Sequence, residues 1–372
     1  MKTLIKGFKK TFKECDELDY KSKKQKILFK DLFYFSVHNL RNSHTITNTD
    51  MKNKGISNVT HQAFSKKKAT CDPSLFDRPI KFFKNLIYQQ QTRRYIAVDG
   101  SHFNIDSAFI EEDYKLSQNK LCCVAKMSAL YDVDNLCPVD IVFSNKAGER
   151  EILCEQLKNV RANDVIIGDR GYYSQKLVDE LKSRGIHFIL RMKRNSASVQ
   201  KLLLEERDEC YLSNKVKVVQ YLVNDNEYFL LTDLCNKSVN ELNTLYRKRW
   251  KVETSFDTIK NKIILKEGWL KSLKESTIQI DVKCIFFLLL LQSYISKIKN
   301  VKDRYKIEVK NSFNVIINVL LYVLLYKNPK VLKKELVDKI LKIIENISIV
   351  LVRNYESKPR QNCKPKSVYY KK

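Results

Sequence analysis

Glycine is scarce in this sequence, with 8 residues among 372. A P-loop needs two glycines followed by Lys and Ser or Thr, and a dinucleotide-binding turn needs three closely spaced glycines after a strand. Neither pattern occurs in the chain. The sequence therefore gives no support for a nucleotide-dependent motor or a dinucleotide-dependent enzyme.

The ten cysteines are scattered, with no C-x2-C pair, and the five histidines show no metal-binding spacing such as H-E-x-x-H. Structural zinc sites and disulfide frameworks both need clustered or regularly spaced ligands. We therefore expect buried or free thiols in a reducing compartment.

Long apolar segments are also missing. The longest runs, Cys284–Leu291 and Val315–Tyr326, are shorter than the ~20 residues that a membrane-spanning helix needs, so they are predicted to be buried helices. The N-terminal 24 residues lack the apolar segment of a signal peptide. We expect an intracellular protein that is neither secreted nor bound to a membrane.

Positive charge is in large excess, because 69 Lys and Arg stand against 42 Asp and Glu, giving +27. Such an excess predicts a polyanionic partner, above all nucleic acid. A generally Lys-rich proteome is the alternative explanation. Residues 1–94 hold 21 Lys and Arg against 8 Asp and Glu, a difference of +13 and nearly half of the total.

Residues 1–90 are predicted to form a helical, basic, DNA-binding region. Apolar spacing predicts a helix over Lys24–Leu40, whereas the polar stretch Arg41–Gly55 is typical of a loop. Ser57 or Thr60 can cap a further short helix. The alternative is a basic helical subdomain that does not read DNA sequence. At the other end, residues 353–372 are predicted to form a flexible basic tail.

The next segment contains a candidate site residue after a strand. Arg93–Val98 is rich in β-formers and predicts a strand that ends at Asp99, where Gly100 would allow a tight turn and close approach of an ion or phosphate. An ordinary Asp-Gly turn is the alternative. Leu121–Tyr131 and Val139–Phe143 are predicted to be the next two strands.

A second aspartate follows in a βαβ pattern. Glu149–Leu157 is predicted to be a helix, and Asp164–Gly168 a short apolar strand that ends at Asp169. A helix over Gln175–Lys182 and a strand over Ile186–Leu190 complete the unit. Polar residues at the carboxyl ends of such strands are where sites lie. A loop aspartate without function is the alternative.

The remainder of the chain is predicted to contain an insertion and covering helices. Alternating apolar residues between about 199 and 237 predict a β-rich hairpin or meander. Helices over about 275–352 are expected to cover the sheet. Trp269 is expected to pack beneath the helix predicted over Ser238–Ile264 rather than to contact DNA.

One helix is predicted over Ser238–Ile264. On it, Tyr246, Arg249, Glu253 and Lys260 fall within about 60° of one another at roughly 100° per residue. They form a polar stripe beside an apolar seam. A carboxylate among cationic groups on a packed helix suits a site for metal ions and phosphate. A solvated charged face is the alternative.

Together these motifs resemble a known family. Asp99 begins D-G-S, Asp169 begins D-R-G-Y, and the helix carries Y-x2-R-x3-E-x6-K. The chain resembles the DDE transposases of the insertion-sequence 4 type, well between Arg93 and Lys260 and loosely at its ends. The resemblance implies an α/β fold: a ribonuclease H-like mixed sheet with flanking helices over 91–352. In this fold the β-rich insertion precedes the catalytic helix, and the helical DNA-binding region is N-terminal.

The resemblance also implies an activity: cutting and joining the ends of a mobile element by two-metal phosphoryl transfer, through a cut-and-paste course with hairpin ends. Asp99, Asp169 and Glu253 would be the catalytic residues and would hold two Mg²⁺ ions, for which Mn²⁺ can substitute. Tyr246, Arg249 and Lys260 would hold the DNA end. The implied partners are terminal inverted repeats, target DNA and a second copy of the chain.

Two alternatives remain open from the sequence. One is a nuclease of the same fold that cleaves DNA without strand transfer. The other is a domesticated protein that only binds DNA. In each case the protein would be found with DNA inside the cell, in the cytoplasm or nucleoid of a bacterium or in a nucleus.

Overall fold

A computed structural model gives the fold of most of the chain. It describes residues 2–19, 27–88, 93–112, 114–117, 121–145, 148–213, 215–223, 226–264, 269–270, 272–298, 305–307, 313–328 and 349–351. The predicted basic tail over 353–372 and most of the last predicted helix lie outside these residues.

A mixed sheet of nine strands forms the centre of the described structure. The strands are β1 (Tyr95–Ile105), β2 (Lys115–Leu116), β3 (Cys123–Asp132), β4 (Cys137–Ser144), β5 (Val165–Gly168), β6 (His187–Arg191), β7 (Glu209–Ser213), β8 (Val216–Val223) and β9 (Asn226–Thr232). Their order is β2-β3-β1-β5-β6-β9-β8-β7, and β4 also pairs with β3.

Five of these strands form the ribonuclease H-like core that the sequence predicts. β3 pairs antiparallel with β1 and with β4, whereas β1, β5 and β6 are parallel. The strand β5 is buried throughout and β6 over its three central residues, as parallel strands covered on both faces must be. The fold class predicted from the sequence is confirmed.

The strand β1 is longer than the sequence predicts. It runs on to Ile105, and Asp99 pairs with Ala129 in its middle, so the prediction that the strand ends at Asp99 is wrong. The chain is extended at Gly100 and makes no turn there. Only the parallel pairing with β5 stops before Asp99, at Ala97. Asp99 therefore projects beyond its parallel neighbour while β3 supports it on the other side.

A buried ion pair aligns β1 with β5 at their other ends. Asp164 accepts from the backbone N–H of Arg94 at 3.1 Å and from its Nε at 3.0 Å, and both side chains are almost fully buried. Removing one partner of such a pair leaves an uncompensated buried charge. The pair therefore helps to set the register of the two strands that carry the aspartates.

Helices cover the sheet, and the described chain begins with them. They are α1 (Lys2–Leu18), α2 (Phe29–Asn39), α3 (His44–Asn53), α4 (His61–Thr70), α5 (Asp77–Ile87), α6 (Glu149–Gln156), α7 (Gln175–Ser183), α8 (Ala197–Leu204), α9 (Val239–Arg247), α10 (Trp250–Thr258), α11 (Glu275–Ile298) and α12 (Phe313–Tyr326). The helix α3 corrects the predicted loop over Arg41–Gly55. Its N-cap Ser43 accepts from the N–H of Ile46, and Thr60 caps α4 in the same way.

The N-terminal helices share one apolar core with the C-terminal ones. Phe287 of α11 is fully buried, and its ring lies 5.9 Å from that of Phe8, 4.9 Å from that of Phe33 and 5.6 Å from that of Phe83. These three rings come from α1, α2 and α5. The apolar core is therefore continuous across the domain boundary predicted near residue 90.

Of the described helices, α11 is long and apolar enough to cross a membrane, and 78% of its apolar window is buried inside the protein. Such burial is typical of a core helix. The run Cys284–Leu291 is part of α11 and is buried, as expected.

The predicted insertion and the last predicted helix differ in detail from the structure. The strands β7, β8 and β9 extend the main sheet, because β9 pairs antiparallel with β6. At the C-terminal end, Ile349–Leu351 forms a strand paired with Tyr305–Ile307 instead of the end of a helix.

The aromatic cluster around Phe287 leads to a stability prediction. Phe287→Ala should lower the free energy of unfolding by about 3–5 kcal/mol, since the lost ring contacts are not replaced. Urea unfolding measures this change. The control Leu222→Ala removes a side chain that is 64% exposed on β8 and should change stability by no more than about 0.5 kcal/mol. Similar small changes for both variants would contradict a shared core.

Candidate active site

Two aspartates lie at the same level on neighbouring parallel strands. The pairing of β1 with β5 ends at Ala97 and Ile167, and each aspartate comes two residues later in its chain. Neighbouring strands are about 4.8 Å apart, so Asp99 and Asp169 stand side by side beyond the parallel pairing. Asp99 accepts from the N–H of Gly100 at 2.9 Å, and Asp169 accepts from that of Gly171 at 2.8 Å.

The helix α10 brings a third carboxylate and a guanidinium to these aspartates. Nη1 of Arg249 lies 3.6 Å from Oδ2 of Asp99, and its Nη2 donates to Oε1 of Glu253 at 2.5 Å. The Arg249 side chain is only 13% exposed. One buried cation therefore joins the strand carboxylate to the helix carboxylate.

Burial disfavours the charged form of Asp99. Burial is the largest cause of its raised pKa, which is about 6; the hydrogen bond from Gly100 and the charge of Arg249 lower the pKa, whereas the negative charges of Glu253 and Asp169 raise it. The charges of both other acidic residues that the sequence singles out therefore act on this carboxyl. Arg249 limits the repulsion among them.

The helix predicted over Ser238–Ile264 is not continuous. It begins with a capping box in which Ser238 and Glu241 satisfy each other's backbone N–H groups. At Lys248 and Arg249 the backbone hydrogen bonds change from i−4 to i−3 acceptors, which separates α9 from α10. The end, Ile259–Ile263, is a π-helix. The single helix predicted over Ser238–Ile264 is therefore wrong in detail.

These breaks place the outer members of the predicted stripe differently. Tyr246 is 7% exposed and packs in an apolar cluster with strand residues such as Ile167 and Ile189. Its ring centre lies 5.9 Å from the guanidinium carbon of Arg249. The ammonium of Lys260 lies 4.9 Å from the ring centre of Phe103 on β1, beside the carboxylates rather than among them.

Trp269 lies near the same strand. The N–H of the next residue, Leu270, donates to the carbonyl of Asn104 at 2.9 Å, so this segment runs along the end of β1. The Trp269 side chain is half-buried and lines a cavity of about 230 Å³ with residues of the N-terminal helices.

Two side chains at the site were given no role from the sequence. Glu149 begins α6, and Tyr172 belongs to the D-R-G-Y motif. An acidic residue in the first turn of a helix is common because it favours the helix dipole, so nothing in the sequence distinguishes Glu149. Burial raises the pKa of Tyr172, and the charges of Glu149, Asp99 and Asp169 raise it further. The negative charges of all three carboxylates therefore act on its hydroxyl.

The carboxylates offer hard oxygen ligands, which Mg²⁺ and Mn²⁺ prefer. Among the described residues, no group of three or more His, Cys, Asp or Glu could hold a metal ion in its present arrangement. Cationic side chains stand between the acids instead, with Arg249 between Asp99 and Glu253. The donor set thus fits divalent cations, provided that these side chains give way.

The pKa of Asp99 predicts a measurable pH dependence in the absence of metal. The folded-state pKa of about 6 lies above the ordinary 3.8, so the native state binds more protons than the unfolded state between these values. The stability contributed by Asp99 therefore falls as pH rises from about 4 to about 6. Asp99→Asn should lack this loss and should be more stable than the wild type at pH 7 by about 3 kcal/mol.

Urea unfolding in EDTA at several pH values measures this difference, and groups common to both proteins cancel. The control Asp179→Asn replaces an exposed carboxyl on α7 and should follow the wild type at every pH. Parallel profiles for Asp99→Asn and the wild type would contradict the raised pKa.

Comparison with known proteins agrees with the motifs. A comparison with curated proteins found no match. A solved structure, the cryo-EM structure of a piggyBac transposase synaptic complex with hairpin DNA, is 14% identical, covers 92% of this chain and 82% of its own, and has a TM-score of 0.47. The family model described as "Transposase DDE domain" matches residues 90–291, more than half of the sequence. The chain belongs to the transposase DDE domain family.

Proposed function

We propose that this protein cuts and joins the ends of a mobile DNA element by metal-dependent phosphoryl transfer. The observation that carries the proposal is the junction of three elements: Asp99 and Asp169 at one level on β1 and β5, and Glu253 joined to Asp99 through Arg249. Membership of the transposase family supports it. The finer assignment to the insertion-sequence 4 type rests on the spacing of Tyr246, Arg249, Glu253 and Lys260.

In this proposal Asp99, Asp169 and Glu253 hold two Mg²⁺ ions, or Mn²⁺ in their place. When bound, such ions activate the attacking water or 3′-hydroxyl and neutralise charge on the leaving oxygen. Asp99 would be the residue shared by the two ions, because the charges of both Glu253 and Asp169 act on its carboxyl.

Arg249 would hold the DNA end. In the structure its guanidinium contacts two carboxylates, and a phosphate presents the same kind of paired oxygens. We infer that Arg249 leaves the carboxylates when cations neutralise them and then donates to the phosphate beside the cut. Tyr246 would support this movement by packing behind the guanidinium, and Lys260 would add charge along β1.

The remaining partners follow from charge and chemistry. The excess of +27 favours DNA, for which terminal repeats and target sites are the proposed substrates. Two ends must be joined in one reaction, so we propose a homodimer in the synaptic complex. The protein would then work wherever the element's DNA lies in the cell.

The carboxylates provide the first activity test. Asp99→Asn, Asp169→Asn and Glu253→Gln should each reduce cleavage of a plasmid that carries the gene's flanking DNA by at least 10³-fold, a typical loss for a catalytic group. Binding of the same DNA, measured by fluorescence anisotropy, should be retained. Asp179→Asn is the control and should cleave normally.

Product analysis in the same assay separates the proposed function from a nuclease. Hairpin ends or joined products indicate transposition, whereas open breaks alone indicate simple cleavage. Cleavage by all three variants at the wild-type rate would reject this site as the catalytic centre.

The role of Arg249 gives a second test. Arg249→Ala should slow single-turnover joining of a pre-cut end by about 10²-fold, and Arg249→Lys should restore little of it, because an ammonium cannot make the two-pronged contact. Lys248→Ala, on the neighbouring residue that pairs with Asp134, is the control. Equal rates for Arg249→Ala and the control would contradict the proposed grip on the DNA end.

A further inference from the structure

Glu149 lies between the two aspartate motifs. A Cβ atom at Gly100 would be 3.2 Å from Oε1 of Glu149. A Cβ atom at Gly171 would be 3.4 Å from Oε2 of Glu149 and 3.1 Å from Oδ1 of Asp169. The Glu149 carboxylate thus lies beside both glycines, and at Gly171 it approaches the same point as the Asp169 carboxylate.

A lysine side chain currently neutralises this carboxylate. Nζ of Lys126, on β3, donates to Oε1 of Glu149 at 3.1 Å, and the lysine side chain is 12% exposed. Arg249 has the same relation to Glu253 on the other side of the site. Each carboxylate supplied by a helix is therefore held by a buried or half-buried cation of the protein.

An unsatisfied polar group follows Gly171 directly in the chain. Tyr172 is fully buried, and within the described part of the chain its hydroxyl has no hydrogen-bond partner. A buried hydroxyl without a partner costs about 1–3 kcal/mol, so it points to a ligand that completes the site.

We propose that Glu149 is a fourth carboxylate of the metal site, which binds a divalent cation together with Asp169, and that Lys126 occupies the place of this cation until it binds. The inference rests on the proposed function, because it adds a ligand to the same site. Mg²⁺ and Mn²⁺ take six oxygens, so a fourth carboxylate is readily accommodated. Lys126 would be a positioning residue that competes with the metal.

Replacing Glu149 and Lys126 one at a time distinguishes metal binding from a purely structural ion pair. Glu149→Gln should weaken Mn²⁺ binding about 10-fold, as expected for loss of a group that holds a metal site together. Lys126→Gln should tighten Mn²⁺ binding several-fold, because the internal competitor is gone. The double variant should resemble Glu149→Gln. A merely structural pair predicts equal losses of stability for both single variants and no change in Mn²⁺ affinity.

The measurement is the shift of the melting temperature with MnCl2 concentration, taken for each variant against its own metal-free value. Glu151→Gln, an exposed carboxyl on the same helix, is the control and should bind Mn²⁺ like the wild type. If Glu149→Gln fails to fold, Lys126→Gln alone decides, and unchanged affinity in that variant overturns the proposal.

The outcomes also distinguish this inference from the proposed function. Weaker Mn²⁺ binding in Asp169→Asn with normal binding in Glu149→Gln would reject Glu149 and leave the proposed function standing. No Mn²⁺ effect on the wild type, with or without a DNA duplex, would reject both. Opposite shifts for Glu149→Gln and Lys126→Gln are the expected result.

Discussion

Repulsion between like charges is the constraint on which the centre of this protein depends. Four carboxylates, Asp99, Glu149, Asp169 and Glu253, approach one region at the end of a buried sheet. Taking charges out of water and placing them near one another both cost free energy. Arg249 and Lys126 offset that cost in the metal-free protein. The fold can therefore keep its acids together before any ion arrives.

Rigid elements make this arrangement possible. The parallel pairing of β1 with β5 sets the two aspartates at one level, and the buried pair of Arg94 with Asp164 fixes the opposite end of the same two strands. The third and fourth carboxylates come from the first turns of α10 and α6. Sites on strands and helices hold their geometry better than sites on loops.

Much of the core could be predicted because its signals are local. Short apolar strands and capped helices identified the βαβ unit around Asp169, and Ser174 does cap α7 by accepting from the N–H of Leu177. The true end of β1 could not be predicted, since pairing with β3 overrides the weak strand preference of Gly100. The helix α3 was missed for a similar reason, because its polar sequence packs against α2 and α4.

Properties of the site that depend on distant contacts were also beyond the sequence. Spacing alone placed Tyr246 on a polar stripe beside the apolar seam, but its ring is buried in an apolar cluster with strand residues. Glu149 and Asp169 approach the same point beside Gly171, although they are twenty residues apart in the sequence. Periodicity does not carry such information.

The shared core has a consequence for how the protein is made. Phe8, Phe33 and Phe83 contact their common partner, Phe287, which is synthesised roughly 200 to 280 residues later. At about 5–20 residues per second, a ribosome needs about 10–55 s to cover these distances. During this time the first helices expose their aromatic faces. The chain must therefore complete its folding after α11 has left the ribosome, and it depends on protection from aggregation until then.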